Sequence, residues 1–180
     1  GYDASVGAFT APATGGTLTL SSEGGARLVF PDGGRFFCTG DTTFENITFY
    51  NAHKKTLVVA GRFFALTFGK GVTMDNIEVH VVGGMEHTNA TVTVPDDDYS
   101  RDAHITLESG RFAEVTGLGR NTGKASFNPN YTGAAYITIS GDATVDKVFG
   151  AFRWGGKAQN TAQMVLALND FLETLTFRER

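Results

Sequence analysis

Apolar and polar residues alternate along most of this chain, in short runs that place apolar side chains on one face of an extended segment. Val, Ile, Thr, Phe and Tyr fill most of these positions, and an alternation with a period of two is typical of strands. Turns rich in glycine or aspartate separate the runs. The pattern predicts an all-β protein of many short strands, at 17–20, 47–49, 56–59, 64–68, 77–82, 91–94, 104–107 and 136–140.

One stretch near the end of the chain does not alternate. Residues 158–172 (AQNTAQMVLALNDFL) are rich in Ala, Gln and Leu, which are good helix formers. The sequence leaves open whether this stretch is a helix or a strand.

A short acidic phrase recurs along the chain. When 40–49, 109–120, 141–153 and 168–178 are aligned, one acidic residue falls at a common place in each, namely Glu45, Glu114, Asp146 and Glu173. The last three segments end in arginine, at Arg120, Arg153 and Arg178. Units of about 25–33 residues with two or three short strands suit the coils of a parallel β-helix, where equivalent residues stack about 4.8 Å apart. We therefore expect a ladder of acids facing water, with Phe44 or Ile47 facing the core.

The predicted fold is a single-stranded right-handed parallel β-helix over residues 17–180, with residues 1–16 as an N-terminal extension or cap. An antiparallel β-sandwich is the alternative, although a sandwich does not need internal repeats. Propeller blades repeat at about 40–45 residues, which is longer than the spacing found in this chain.

The phrases GDTTFENITF (40–49), ITLESGRFAEVTGLG (105–119) and SGDATVDKVFGAF (140–152) resemble the degenerate repeats of the pectate-lyase-like superfamily of right-handed parallel β-helices. Such domains occur in secreted and surface proteins of bacteria. The resemblance covers most of 17–178 and lies in the style of the repeats. It implies secretion or display at the cell surface. It implies no lyase or hydrolase active site, because no stretch matches one.

The length and the net charge of the chain narrow the classes of function that fit it. A chain of 180 residues is long enough for one domain with a real core. A net charge of −4, from 15 basic and 19 acidic residues, argues against nucleic acid as a partner. No apolar run approaches the roughly 20 residues of a membrane span. The chain begins at Gly1 without a signal peptide, so we expect the native protein to be longer.

The cysteine and the histidines are interpreted as structural. Cys38, the only cysteine, lies beside two phenylalanines and is expected in the core. Glu78 and His80 share one face of a predicted strand, but no spacing of the histidines suits zinc. We expect the four histidines to be exposed residues of strands, at positions 53, 80, 87 and 104.

The acidic turn VPDDDYSRD (94–102) is the one candidate metal site. Its oxygen ligands, Asp96, Asp97, Asp98 and Asp102, are of the kind that Ca²⁺ prefers. The turn lacks the alternating acids and the central glycine of a known calcium loop. The favoured interpretation is a solvated turn whose charges protect a sheet edge. No other cofactor is expected.

Catalysis is not the favoured interpretation. Stacked acids of the predicted ladder would lie near 5 Å apart, a separation that suits a glycosidase. The arginines that follow them would instead form exposed ion pairs, which contribute under about 1 kcal/mol each. No nucleophile motif such as GxSxG occurs. The sequence therefore assigns no catalytic residue, although an enzyme is not ruled out.

Aromatic residues in loops are the candidate carbohydrate-binding site. Trp154, the only tryptophan, follows Arg153 and precedes a Gly-Gly turn, while Tyr131 and Tyr136 flank another loop. Flat rings beside polar groups suit stacking on sugars.

These observations favour a non-catalytic extracellular β-helix domain that serves as a surface, adhesin-like or glycan-contact module. Its partners would be a polysaccharide or a protein of a host or cell surface. The alternative is a carbohydrate-active enzyme of β-helix type, either a polysaccharide lyase or a glycoside hydrolase. A third hypothesis, an ice- or mineral-binding face of threonines, needs a regular TxT array across coils, which the sequence does not display.

Overall fold

All regular structure in the described part of the chain is β-strand. The computed structural model describes residues 3–5, 15–87, 100–121, 130–153, 157–158 and 163–164. The first ten strands are β1 (Asp3–Ser5), β2 (Thr17–Val29), β3 (Gly34–Phe37), β4 (Asp41–Tyr50), β5 (Thr56–Ala60), β6 (Leu66–Phe68), β7 (Thr73–Asp75), β8 (Glu78–Val82), β9 (Met85–His87) and β10 (Ala103–Leu107). The other ten are β11 (Arg111–Phe112), β12 (Glu114–Thr116), β13 (Gly119–Asn121), β14 (Asn130–Tyr131), β15 (Ala135–Ile139), β16 (Thr144–Val145), β17 (Val148–Phe149), β18 (Phe152–Arg153), β19 (Lys157–Ala158) and β20 (Gln163–Met164).

The strands form three main sheets. Sheet 1 has the order β1-β2-β4-β6-β10-β15-β20, with β7 also beside β4. Sheet 2 has the order β3-β5-β8-β12-β17, and sheet 3 the order β9-β13-β18. Two smaller pairs are β11-β16 and β14-β19.

Every pairing among the described strands is parallel. Apart from β1 and β2, neighbours in a sheet are not consecutive in the chain, so the chain leaves each sheet and returns to it. The all-β prediction is confirmed, and the architecture is compatible with a parallel β-helix. The alternative of an antiparallel sandwich is wrong for these residues.

Seven of the eight alternating runs coincide with strands, namely β2, β4, β5, β6, β8, β10 and β15, whereas the other thirteen described strands were not predicted. The stretch at 91–94 lies outside the described residues. In 158–172, Gln163–Met164 is a strand that pairs with β15, and most of the remainder lies outside the described residues.

Phenylalanine rings on successive strands fill the centre of the core. Phe44 pairs with Phe68 in sheet 1, and their ring centroids lie 5.1 Å apart. Phe68 also meets Phe112 edge to face at 4.8 Å. Register pairing stacks Phe44 on Phe68, and Phe112, which lies on β11 and is not a register partner of Phe68, completes a column of three rings. Phe44 and Ile47 are both buried, as expected.

Cys38 is also in the core, with 1% of its surface exposed. Burial raises the pKa of its thiol to about 11, against a smaller opposing effect of a hydrogen bond with Thr42. The expectation of an inert core cysteine is therefore confirmed.

The predicted acidic ladder is wrong. Glu45 pairs with Ser21 in sheet 1, whereas Glu114 pairs with His80 in sheet 2, so the two glutamates lie on different sheets. Glu45 is exposed, but Glu114 is buried.

Asp146 also misses the predicted place, by one residue. Val115 pairs with Val148, which puts Lys147 rather than Asp146 beside Glu114. Asp146 is exposed and forms an ion pair with Arg111 at 3.5 Å. Glu173 lies outside the described residues. Strand register follows the inward apolar residues of each sheet, so acids at the same place in similar phrases need not be paired.

Replacing Phe68 with alanine should lower the free energy of unfolding by about 3–5 kcal/mol, because it leaves a cavity among the rings of the column. Urea unfolding followed by far-UV circular dichroism measures this change. Phe37→Ala is the matched control, since Phe37 is 40% exposed and should cost under about 1 kcal/mol. Equal losses for the two variants would contradict the assigned core.

Candidate functional site

The chain turns from sheet 2 into sheet 3 at a stack of glycines. Gly83, Gly84 and Gly117 form this corner, and the amide of Gly84 donates to the carbonyl of Gly117 at 3.1 Å. A Cβ on Gly84 would overlap the carbonyl of Leu118, and one on Gly117 would overlap that of Gly150. Only glycine allows the neighbouring chain segments to approach this closely at the corner. The polar faces of the two sheets consequently converge.

Charged side chains from both sheets meet at this corner. Val79, Val81 and Val115 face the core, so the side chains that alternate with them on β8 and β12 point away from it. Glu78 is exposed, but the other outward side chains of β8 and β12 remain buried, as do Glu86 on β9 and Arg120 on β13. We call the group the corner cluster, and its members are Arg35, Glu78, His80, Glu86, Glu114, Arg120 and Arg153.

Glu114 is the centre of the cluster, and its side chain is 2% exposed. Its Oε1 lies 3.7 Å from Nε of Arg120, and its Oε2 contacts the guanidinium of Arg153. Glu86, whose side chain is fully buried, lies 3.8 Å from both Arg120 and Arg35. Carboxylates in such surroundings need cationic partners, because the desolvation of an unpaired charge costs several kcal/mol.

His80 connects Glu114 to the surface. Its Nε2 lies 2.6 Å from Oε1 of the half-exposed Glu78, and its Nδ1 lies 4.0 Å from Oε1 of Glu114. Burial lowers the pKa of His80, and the positive charges of Arg120 and Arg153 lower it further, while Glu78 opposes the shift. The imidazole is therefore neutral at pH 7.

The predicted carbohydrate-binding residues lie in three different places. Arg153 belongs to the corner cluster, with its guanidinium 5.4 Å from the ring centroid of Phe149. Tyr131 is fully buried and packs edge to face on Phe152 at 4.4 Å, so its ring offers no surface to a sugar. Tyr136 lies on the outer face of sheet 1. Trp154 lies outside the described residues.

The acidic turn is only partly described. Asp96, Asp97 and Asp98 lie outside the described residues. Asp102 is exposed, and its Oδ1 accepts a hydrogen bond from the amide of Ala134 at 2.8 Å. Among the residues that the structure describes, no group of three or more His, Cys, Asp or Glu side chains could hold a metal ion.

Sequence reasoning placed some members of the cluster and missed others. Glu114 was aligned with acids that face water, and His80 was expected to be exposed, but both are buried. Glu86 was not singled out. Its signal was present, because it follows the Gly-Gly corner at a position that alternates with the core residue Met85. Arg120 pairs with Glu114 as expected, although the pair is buried rather than exposed, and Arg153 contacts Glu114 instead of Asp146, the acid of its own phrase.

A second polar surface lies on the outer side of sheet 1. Threonines occupy the same register position on five strands, β2, β4, β6, β10 and β15, and we call them the threonine column: Thr19, Thr43, Thr67, Thr106 and Thr138. Beside the column, His104 and Tyr136 stack with ring centroids 4.8 Å apart and planes within 6°. Glu45 and Glu108 lie on its other side.

Comparison with known protein families, with curated proteins and with solved structures gives no match to this chain. The described residues include no helix long and apolar enough to cross a membrane.

Lowering the pH below 6.5 should destabilise the folded state through His80. The unfolded chain takes up a proton near the ordinary pKa of 6.5, whereas the buried imidazole resists protonation until a lower pH. The contribution of His80 to stability is thus complete above pH 6.5 and is lost as the pH falls towards its lowered pKa. Urea unfolding between pH 4.5 and 7.5 measures the effect. The quantity compared is the free energy of unfolding of the wild type minus that of a His80→Gln variant at each pH.

His53→Gln is the matched control, because His53 is exposed and lies outside the corner cluster. This control should keep the pH dependence of the wild type. If His80→Gln keeps it as well, the assignment of a buried neutral His80 is wrong.

Proposed function

We propose that this chain is part of a single-stranded right-handed parallel β-helix that acts outside the cell, or at its surface, as a non-catalytic module in contact with glycans. The observation that carries the proposal is the threonine column on the outer face of sheet 1. Its hydroxyls recur at the spacing of strands, about 4.8 Å, and form a regular row of hydrogen-bond donors and acceptors.

The proposal of a right-handed parallel β-helix rests on how the chain connects the parallel strands of each sheet. The chain returns repeatedly to sheets 1, 2 and 3 and adds each new strand in parallel to an earlier one. Connections between parallel strands of one sheet are right-handed in about 98% of cases. A right-handed coil therefore accounts best for the observed pairing.

The surroundings of the threonine column support a sugar as the ligand. The stacked His104 and Tyr136 provide apolar ring surface with polar tips, and Glu45 and Glu108 provide hydrogen-bond acceptors. An ice-binding face is less well supported. The positions two residues before Thr67, Thr106 and Thr138 are Ala65, His104 and Tyr136, so the second column of a TxT array is missing there.

The double variant Thr67→Val/Thr106→Val should bind glycans more weakly than the wild type. Valine keeps the β-branched shape but removes a hydroxyl at each position. Each lost hydrogen bond should cost about 0.5–1.5 kcal/mol, or about 2- to 12-fold in Kd. A glycan array identifies the ligand, and calorimetry with the corresponding oligosaccharide measures the affinity.

The matched control is Thr48→Val/Thr73→Val, which changes two paired threonines away from the column, whose hydroxyls lie 2.8 Å apart. The control should bind as the wild type does. Absence of glycan binding by the wild type at millimolar concentrations would overturn the proposed contact, and equal weakening by the control would overturn its location.

An enzyme is the second candidate, because the corner cluster contains an oriented histidine beside a buried carboxylate. A base held by a carboxylate is the usual arrangement for proton transfer. If this candidate is correct, incubation with a panel of polysaccharides should release new reducing ends or unsaturated uronates. Glu114→Gln should abolish the release, while Arg111→Gln, which breaks an exposed ion pair, should not. No release by the wild type would exclude this candidate for the panel tested, whatever the result for glycan binding.

A further inference from the structure

The contact between His80 and Glu78 fixes the proton on the imidazole ring. The 2.6 Å separation of Nε2 of His80 from a carboxylate oxygen requires a proton between the two atoms. An ionised carboxylate only accepts hydrogen bonds, so Nε2 is the donor. In a neutral imidazole the other nitrogen then carries a lone pair. Nδ1 of His80 is therefore an acceptor.

This acceptor faces a second acceptor. Nδ1 of His80 lies 4.0 Å from Oε1 of Glu114, and neither atom is hydrogen-bonded to a protein group. The Glu114 side chain is 2% exposed, and that of His80 is 11% exposed. A buried acceptor left without a donor costs about 1–3 kcal/mol. The two side chains cannot provide a donor for each other, and Nε of Arg120, 3.7 Å from Oε1 of Glu114, lies beyond hydrogen-bonding distance, so both atoms require another donor.

The electrostatics of the cluster favour a neutral donor. The cluster contains three carboxylates and three guanidinium groups, and His80 is neutral; Glu86 and Glu114 contact the arginines, while Glu78 contacts His80. A bound cation or anion would upset this balance in a region where charge is expensive to bury.

We propose that one water molecule binds between Nδ1 of His80 and Oε1 of Glu114 and donates a hydrogen bond to each. An oxygen about 2.8 Å from both acceptors sees them at an angle of roughly 90°, which suits the two protons of a single water. A hydroxyl group has only one proton and serves only one of the two atoms. A small polar site with several partners is where proteins keep internal water.

The water also connects two coils. His80 is on β8 and Glu114 is on β12, which are paired strands of sheet 2. The site adds a polar link between them beside the direct contacts of Glu114 with Arg120 and Arg153. This inference concerns the resting protein, so it is independent of the proposed glycan contact and of any catalysis.

The tautomer of His80 is the first test. In ¹⁵N-labelled protein at pH 7, long-range proton–nitrogen correlation spectra should show His80 with a protonated Nε2 and an unprotonated Nδ1. The His80→Gln variant identifies the signals. A proton on Nδ1 would overturn the proposal, because that nitrogen would then donate towards Glu114 and need no water.

A high-resolution crystal structure is the second test. We expect a water peak within about 2.6–3.2 Å of Nδ1 of His80 and of Oε1 of Glu114. Glu78→Gln should keep this peak, because the glutamine oxygen still accepts from Nε2. Glu114→Gln, which can turn an amide donor towards His80, should lose or shift it. A protein donor at this position, or no peak between two ordered side chains, would refute the proposal. The spectroscopic test uses the wild-type protein, so it stands even if a variant fails to fold.

Discussion

Hydrogen bonding between parallel strands in register is the constraint on which the rest of this structure depends. It places each residue beside its register partner on the neighbouring strand, about 4.8 Å away. Where the counterparts are apolar, as with Phe44 and Phe68, stacking builds the core. Where they are charged, the same spacing is costly, because equal charges directly opposite each other repel.

The corner cluster meets this constraint with residues from two sheets. In sheet 3, Arg120 pairs with Glu86 on one side and with Arg153 on the other. The two arginines would repel each other, but Glu114 reaches across from sheet 2 and contacts both. The position of one carboxylate thus allows two guanidinium groups to stack, and the glycine corner brings the two sheets close enough for this contact.

Buried ion pairs contribute little net stability compared with apolar residues of similar volume. Their value in this chain lies in register. Val59, Val81 and Val115 occupy the same register position on three neighbouring strands, so exchanging one strand for another would pair valine with valine again. Glu114 has its arginine partners only in the observed pairing, so the charged residues distinguish between strands that the valines do not.

The all-β class and seven of the strands could be predicted from the sequence, because they depend on local alternation. The identity of the stacked residues could not. The phrases around Glu45 and Glu114 look alike, yet they lie on different sheets, since register is decided by inward residues such as Phe68 and Leu107. The burial of His80 was also unpredictable from its own strand, because the charged groups near it, Glu114 and the arginines of sheet 3, come from distant parts of the sequence.

The two polar surfaces show that the same strand pairing produces both a row of neutral side chains and a buried group of charges. The threonine column keeps neutral side chains at one register position, so that stacking places no like charges opposite each other. At the corner, charges from two sheets converge and lose contact with water, so each needs a partner in the protein or a bound water. A side chain that points away from the core of this fold can therefore still be buried. On sheet 1, by contrast, the alternating positions of the threonine column stay at least partly exposed.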